Sequence, residues 1–452
     1  MLGIVFFFSR CEEEFPFKPE FEEQYSGGTG TIFNASSSAF SFPDSRLNEE
    51  DGLFFFTGNS LFSQNWISAP ASTTARDGVG PLFNARSCSS CHFKDGRGRP
   101  PEFDGESSHG LLLRLATGNN AHSGPIPDPI YGGQLQDLSI LSLDKEGDFN
   151  ITYNEMAGTY PDGTPYTLRK PIYNIIGLNE GVLTATEISP RVANQVIGLG
   201  LLEAISENTL LDFADENDAD GDGISGKANY VWNIETQSTT IGRFGWKANQ
   251  PNVRQQVAAA FSGDMGITSS LFPNENCPPS VNCDTIANGG SPEIPDENLG
   301  KVTLYSSSLA VPGRRDWEDE DVLTGKALFN QAKCNSCHIP KITTGTHQRF
   351  NGFSNQTIRP YTDLLLHDMG EDLADNSSDF LATGQEWRTP PLWGVGLFEI
   401  VNRHTFYLHD GRARNLEEAI LWHGGEAENS KNAFMDMSSN EREQVIKFLN
   451  SL

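Results

Sequence analysis

Cys88, Cys91 and His92 stand in LFNARSCSSCH (82–92), and Cys334, Cys337 and His338 stand in LFNQAKCNSCH (328–338). Both runs fit L-F-N-x-x-x-C-x-S-C-H. Two thiols three positions apart reach the two vinyl groups on one edge of a haem, and the next histidine falls beneath the iron as its axial ligand. This is the c-type haem attachment pattern, and it occurs twice. Zinc binding and thiol–disulfide exchange are the competing uses of paired cysteines. A zinc site would need more Cys or His close by, and neither run is followed by a second C-x-x-C. The expected cofactors are therefore two covalently bound haems c.

A second constellation is DADGDGISGKAN (218–229). Asp218, Asp220 and Asp222 alternate, Gly223 supplies the sharp turn, and the carbonyl of Ile224 falls at the seventh position. That is how a calcium loop begins. The twelfth position is Asn229 rather than the bidentate Glu of an EF-hand, so the expectation is a calcium-type loop outside the EF-hand class.

The chain has 452 residues, 37% of them hydrophobic, with 44 Gly and 25 Pro. That composition describes a loop-rich globular protein of two or three domains. A net charge of −28 argues against nucleic-acid binding. The same charge suits the docking of a basic electron donor such as a basic cytochrome. Four of the seven cysteines belong to the haem motifs. Cys277 and Cys283, in ENCPPSVNC, can close a small disulfide ring, which fits an oxidising compartment. Cys11 follows MLGIVFFFSR and precedes three glutamates. This resembles the end of a lipoprotein signal peptide with Cys11 as the lipidated residue; an ordinary secretory signal is the alternative. The stretch is too short to span a bilayer, so any membrane association would come through the lipid. The expected location is the periplasm or the outer membrane.

These residues need elements to position them. Residues 1–11 read as the signal segment and 12–45 as a flexible Gly/Ser-rich, acidic tether. A first haem domain with a large insertion is expected over 46–312, and a cytochrome c-like domain over 313–452. WEDEDVLTGKALFNQ (317–331) has the acidic start and apolar spacing of a helix running into the second motif. In SSNEREQVIKFLNSL, Val445, Ile446, Phe448 and Leu449 form one buried face. GLLLRLA (110–116) reads as a strand and ISPRVANQVIGLGLLEAIS (188–206) as a helix; the topology of 110–312 does not follow from the pattern. The fold class expected is mainly α: two cytochrome c-like haem domains with a mixed, loop-rich insertion between the two motifs.

Several longer segments carry a family resemblance over about residues 46–452: APASTTARDGVGPLFNARSCSSCHFKDGRGRPP (69–101), VIGLGLLEAI (196–205), RFGWKANQPNVRQQVAAAFSGDMGIT (243–268), LLLHDMGEDLAD (364–375), and EWRTPPLWGVG with YLHDGRARNLEEAILWHGGEA (386–427). The chain resembles the bacterial di-haem oxidoreductases, often described as thiol oxidoreductases, which are remotely similar to the di-haem cytochrome c peroxidases. The resemblance implies two facing cytochrome domains, one haem handling peroxide and the other storing or relaying an electron.

What lies opposite each proximal histidine then sets the mechanism. His109 follows His92 at a spacing similar to the displaceable distal histidine of the di-haem peroxidases; His122 is a second choice. For the second haem the choices are Met369, Tyr407 and His409, with Met265 open to either haem. In peroxidase relatives a methionine lies near the loop matching FYLHDG, where this chain has Leu408. Tyr407 could replace it, as a tyrosine does in a related di-haem enzyme. Peroxide cleavage also needs an acid/base group. Glu203, flanked by apolar residues in GLGLLEAI, is the first candidate and Glu426 the second. The leading expectation is a di-haem oxidoreductase of peroxidase-like activity, acting on peroxide or on another small molecule or protein. A non-catalytic electron-transfer lipoprotein and a haem-bearing iron-handling surface protein are the alternatives.

Overall fold

The helix Glu49–Ser63 begins where Asn48 accepts a hydrogen bond from the Asp51 N–H, and Glu49, Glu50 and Asp51 place negative charge in its first turn. It buries Phe55, Leu61 and Phe62 against the helix Asp296–Ser307. The two backbones cross so closely at Gly58 that a Cβ there would lie 2.2 Å from the Lys301 carbonyl oxygen. A second helix pair, Glu320–Gln331 and Ser439–Ser451, closes the C-terminal part. Val445, Phe448 and Leu449 are buried there and Ile446 is half-buried. These elements come from a computed structural model, which describes residues 18–103, 106 and 110–452. Cys11 and His109 lie outside the described residues.

The mainly α expectation is corrected. The chain is 28% helical and 19% strand, with many short sheets, and is a mixed α/β protein. Among the described residues each sheet is a single antiparallel pair. The largest is the hairpin of Asp148–Thr159 with Pro165–Ile176. It is strapped across the 410–418 loop and the last helix. Tyr160 donates to Glu417 at 2.6 Å, Arg442 pairs with Asp162 at 2.8 Å, and Arg414 Nη2 donates to the Thr167 carbonyl at 2.8 Å.

The expected strand at 110–116 forms over Leu111–Ala116. Leu111, Leu113 and Leu115 turn into the core, which leaves Leu112 and Arg114 on the other face. Its partner corrects the helix expected over 188–206. Glu187–Val192 is a strand in register with it, Leu113 opposite Pro190, and the helix is reduced to Leu199–Glu203. Proline has no N–H to donate within a helix, and Gly198 has φ +72° with Trp393 packed where a Cβ would stand.

Residues 18–45 are folded against the body rather than trailing from it. Phe40 and Ala39 are buried, and the buried Glu23 carboxylate pairs with Arg314 and, at 2.7 Å, with Lys326. A Gly/Ser-rich composition did not prevent this, because Glu23 and Phe40 supply long-range anchors. One continuous apolar cluster runs from Ala39 to Leu452, across the expected boundary at 312/313. Cys277 and Cys283 are joined in a disulfide. Among the described residues no helix is long and apolar enough to cross a membrane.

Candidate functional site: two cavities sharing a wall

Each cysteine–histidine motif opens into its own cavity. The first, about 510 Å³, is lined by Cys88, Cys91 and His92. The second, about 190 Å³, is lined by Cys334, Cys337 and His338. The four thiols are free and half-buried. Burial pushes Cys88 and Cys334 up to about 12, so both rest as neutral thiols.

The two histidines are oriented alike. His92 Nδ1 lies 2.6 Å from the Asn194 carbonyl oxygen, and His338 Nδ1 lies 2.9 Å from that of Tyr361. A ring whose Nδ1–H is held by a carbonyl keeps its Nε2 unprotonated for a metal. Burial lowers the pKa of both rings, His338 to about 4, which favours the neutral ligand form.

The walls also suit a haem's carboxylates. Arg114, Arg191 and Arg388 line the first cavity; Arg97 and Arg388 line the second. Arg97 Nε and His409 Nε2 are buried without a hydrogen-bond partner in the wall of the second cavity. Buried donors normally have partners, so these two are groups a carboxylate would satisfy. The residues present therefore fit a haem in each cavity.

Gln195, Trp246, Arg388 and Pro391 line both cavities. Trp246 is the aromatic member of this shared wall. Its Nε1 donates to the Val192 carbonyl at 2.7 Å, and the Arg97 guanidinium lies 5.0 Å from its ring centre. Beside the wall, Lys247 is fully buried between Asp375 at 3.2 Å and the carbonyls of Thr383 and Glu386. Its Nζ lies 4.1 Å from the Trp387 ring centre, and His409 stacks on that same ring at 3.8 Å.

The remaining sequence candidates separate. Met265 ends the helix Val253–Met265 and lines the first cavity. Met369, Tyr407 and His409 line the second. His122 is exposed and packs edge-on against Trp232. Glu203 lines neither cavity: its carboxylate accepts from the Val253 N–H at 2.9 Å and from His347 Nε2 at 3.1 Å, so it caps a helix. Glu426 accepts from His367 Nδ1 at 2.7 Å and from the Ser225 hydroxyl at 2.6 Å. Burial alone would raise its pKa, but these hydrogen bonds outweigh burial and hold it below the ordinary value. A carboxylate so held is a poor proton donor.

In the acidic loop, Asp215, Asp218 and Asp220 bring one oxygen each within 4.8 Å of one another. Asp222 accepts instead from the Ile224 N–H, and Ile224 lines the second cavity. The Asn229 side chain is buried and spent elsewhere: Nδ2 donates to the carbonyls of Lys247 and Asp379, and Oδ1 accepts from the Leu381 N–H. Asp215, three residues before Asp218, joins this cluster, and Asn229 does not.

His367 is a residue the sequence reading missed. Its Nε2 lies 2.8 Å from Asp363, its Nδ1 2.7 Å from Glu426 and 3.5 Å from Cys337 Sγ. Burial alone would lower its pKa, but the Asp363 charge, with the hydrogen bonds around it, holds it well above the usual histidine value. The stability it adds is complete below the unfolded pKa of about 6.5 and is lost as pH rises through the folded pKa. Denaturation midpoints followed upward from about pH 6 should therefore fall. His367→Asn should flatten that slope; an identical slope in the variant would remove His367 from the account. The i,i+4 spacing of Asp363 and His367 was the available signal, but Glu426 comes from far along the chain.

Two motif-bearing cavities with a common aromatic wall define a protein built to hold two redox groups side by side. Residues 21–452 match the family described as "Di-haem oxidoreductase, putative peroxidase", and the chain belongs to that family. The family implies haem cofactors. No curated protein and no solved structure matches the chain.

Proposed function

We propose that this chain is a di-haem c-type oxidoreductase that reduces peroxide in its first cavity and draws electrons through the second. The observation that carries the reading is the contrast between the two cavities across their shared wall. The first is lined by Arg114, Arg191, Asp264 and Asp379; the second is lined mostly by apolar side chains around His338. A charged cavity can bind and polarise a small polar substrate, whereas an apolar one disfavours a polar substrate and suits electron transfer.

Cys88 and Cys91 would hold one haem c and Cys334 and Cys337 the other, with His92 and His338 as proximal ligands. The haems supply the redox chemistry; the protein supplies orientation and charge. Arg114 is placed to polarise peroxide. Its ion pair with Asp264 is loose, at 3.6 Å, and 41% of its side chain remains accessible toward the cavity. Asp264, which also accepts from Gln134 Nε2 at 3.1 Å, takes over from Glu203 and Glu426 as an acid/base group lining the first cavity. Trp246 separates the two cavities by a single side chain.

The test is spectroscopic titration of the two-haem protein with hydrogen peroxide. One high-spin iron that reacts with peroxide, beside one low-spin iron that does not, is the expected result. Two low-spin irons inert in every redox state would overturn the reading in favour of a relay.

Calcium is assigned to the Asp215, Asp218 and Asp220 carboxylates, which are oxygen ligands of the right hardness. Ser225, which holds Glu426, accepts from the Asp215 N–H through its carbonyl at 2.7 Å, so an ion here would brace the approach to the second cavity. Chelation should lower the melting temperature. An unchanged melting curve, together with no calcium uptake by titration calorimetry, would dismiss the site.

A further inference from the structure

The helix Leu416–Leu421 ends in LWHGG, and His423 lines the same cavity as His338. Its Nδ1 lies 2.7 Å from the Ala419 carbonyl oxygen. This repeats the arrangement of both motif histidines, whose Nδ1 atoms are held by the carbonyls of Asn194 and Tyr361. Such a bond orients the ring and leaves Nε2 as the metal-facing nitrogen. Among the described residues no hydrogen bond is made by the Nε2 of His423 or of His338. Both rings line the one cavity. Local sequence supports the placement: two glycines follow His423, and a Cβ at Gly424 would stand 3.0 Å from the Met369 carbonyl oxygen.

Some other residues of this cavity are less available. His367 has both ring nitrogens engaged by carboxylates. Tyr407 donates its hydroxyl to the Val395 carbonyl at 3.2 Å and stacks on Phe398, and burial raises its pKa, which opposes a phenolate ligand. His409 is stacked on Trp387, which fixes its ring, but its Nε2 makes no hydrogen bond. Met369, Met437 and His409 are therefore the rivals with an uncommitted ligand atom lining the cavity.

We propose that His423 Nε2 is the second protein ligand of the iron bound at Cys334, Cys337 and His338, so that this haem is closed by two histidines. The proposal rests on haem binding at the second motif and not on peroxidase activity. It gives the second haem one defined role: a low-spin centre without an open face, and with a lower potential than histidine–methionine ligation would confer.

The experiment uses the full two-haem protein and reads ligation rather than turnover. Haem content is first counted as the pyridine haemochrome. Near-infrared magnetic circular dichroism and low-temperature electron paramagnetic resonance are then recorded on the wild type, His423→Ala, His423→Met and Met369→Leu. The wild type should show a bis-histidine low-spin signal, and Met369→Leu should leave it unchanged. His423→Ala should convert that haem to high spin, with added imidazole restoring low spin. His423→Met should introduce the methionine–iron charge-transfer band and raise the potential. A methionine band from that haem in the wild type would overturn the assignment, as would a low-spin signal in His423→Ala identical to the wild type. The wild-type band energy distinguishes the ligand pairs even where a variant does not fold. One haem per chain would overturn the haem reading of the second motif itself; two haems with methionine ligation would overturn His423 alone.

Discussion

Arg114→Met is expected to slow peroxide reduction by about 10²–10³-fold while both haems are retained. The size follows from the setting. A preorganised charged donor stabilises charge that develops during bond cleavage without reorganising at that moment. Arg114 stands on the strand Leu111–Ala116, and the alternation that buries Leu113 and Leu115 turns its guanidinium to the cavity face. Arg191, by contrast, is held at 3.1 Å by Asp379. The decisive measurement is single-turnover peroxide reduction by the fully reduced protein, with haem content determined on the same sample. A normal rate would remove Arg114 from the chemistry. A normal rate per haem with the first haem depleted would reassign the guanidinium to holding that haem's carboxylates.

The second large effect is on stability. Lys247→Met should cost about 3–5 kcal/mol, because it leaves the Asp375 carboxylate charged, buried and without its cation. Lys247 and Asp375 expose 0% and 1% of their side chains. Burial pushes Lys247 down to about 8, against which the Asp375 charge acts. The same substitution also vacates the acceptors at Thr383 and Glu386 and removes the cation over Trp387. Urea unfolding monitored by tryptophan fluorescence gives the number. The double variant Lys247→Met with Asp375→Leu should recover most of the loss, since no uncompensated charge then remains. A single-variant cost below about 1 kcal/mol would show that the hydrogen bond Asp375 accepts from the Ser189 hydroxyl, or water, suffices to stabilise the carboxylate.

Both predictions depend on residues far apart in the chain, and this marks where the sequence stopped being legible. The helix expected at 188–206 was read from apolar spacing alone. Its first half pairs instead with Leu111–Ala116, a contact that no local pattern announces. Outside the long hairpin of Asp148–Thr159 with Pro165–Ile176, the mainly α expectation failed because short strands in two-stranded pairs have too few residues to show a clear alternation. The acidic loop was recognised, but its twelfth position was not, because Asn229 meets buried carbonyls of Lys247 and Asp379 that only the folded chain supplies. Glu203 looked like an acid with a raised pKa because its neighbours in sequence are apolar. In space its neighbours are a helix N-terminus and His347.

The sequence by itself determined what five neighbouring residues can impose. A C-x-x-C-H run gathers two thiols and an imidazole within one turn whatever the rest of the chain does, so both motifs and the family could be read directly. A C-terminal helix with a regular apolar face was equally local. Tertiary structure alone decided how the two sites differ. Trp246 and Gln195 became a common wall, Arg114 and Asp264 charged one cavity, and His423 was brought into the other with His338. Those juxtapositions depend on which surfaces bury one another, and sequence spacing does not carry that information.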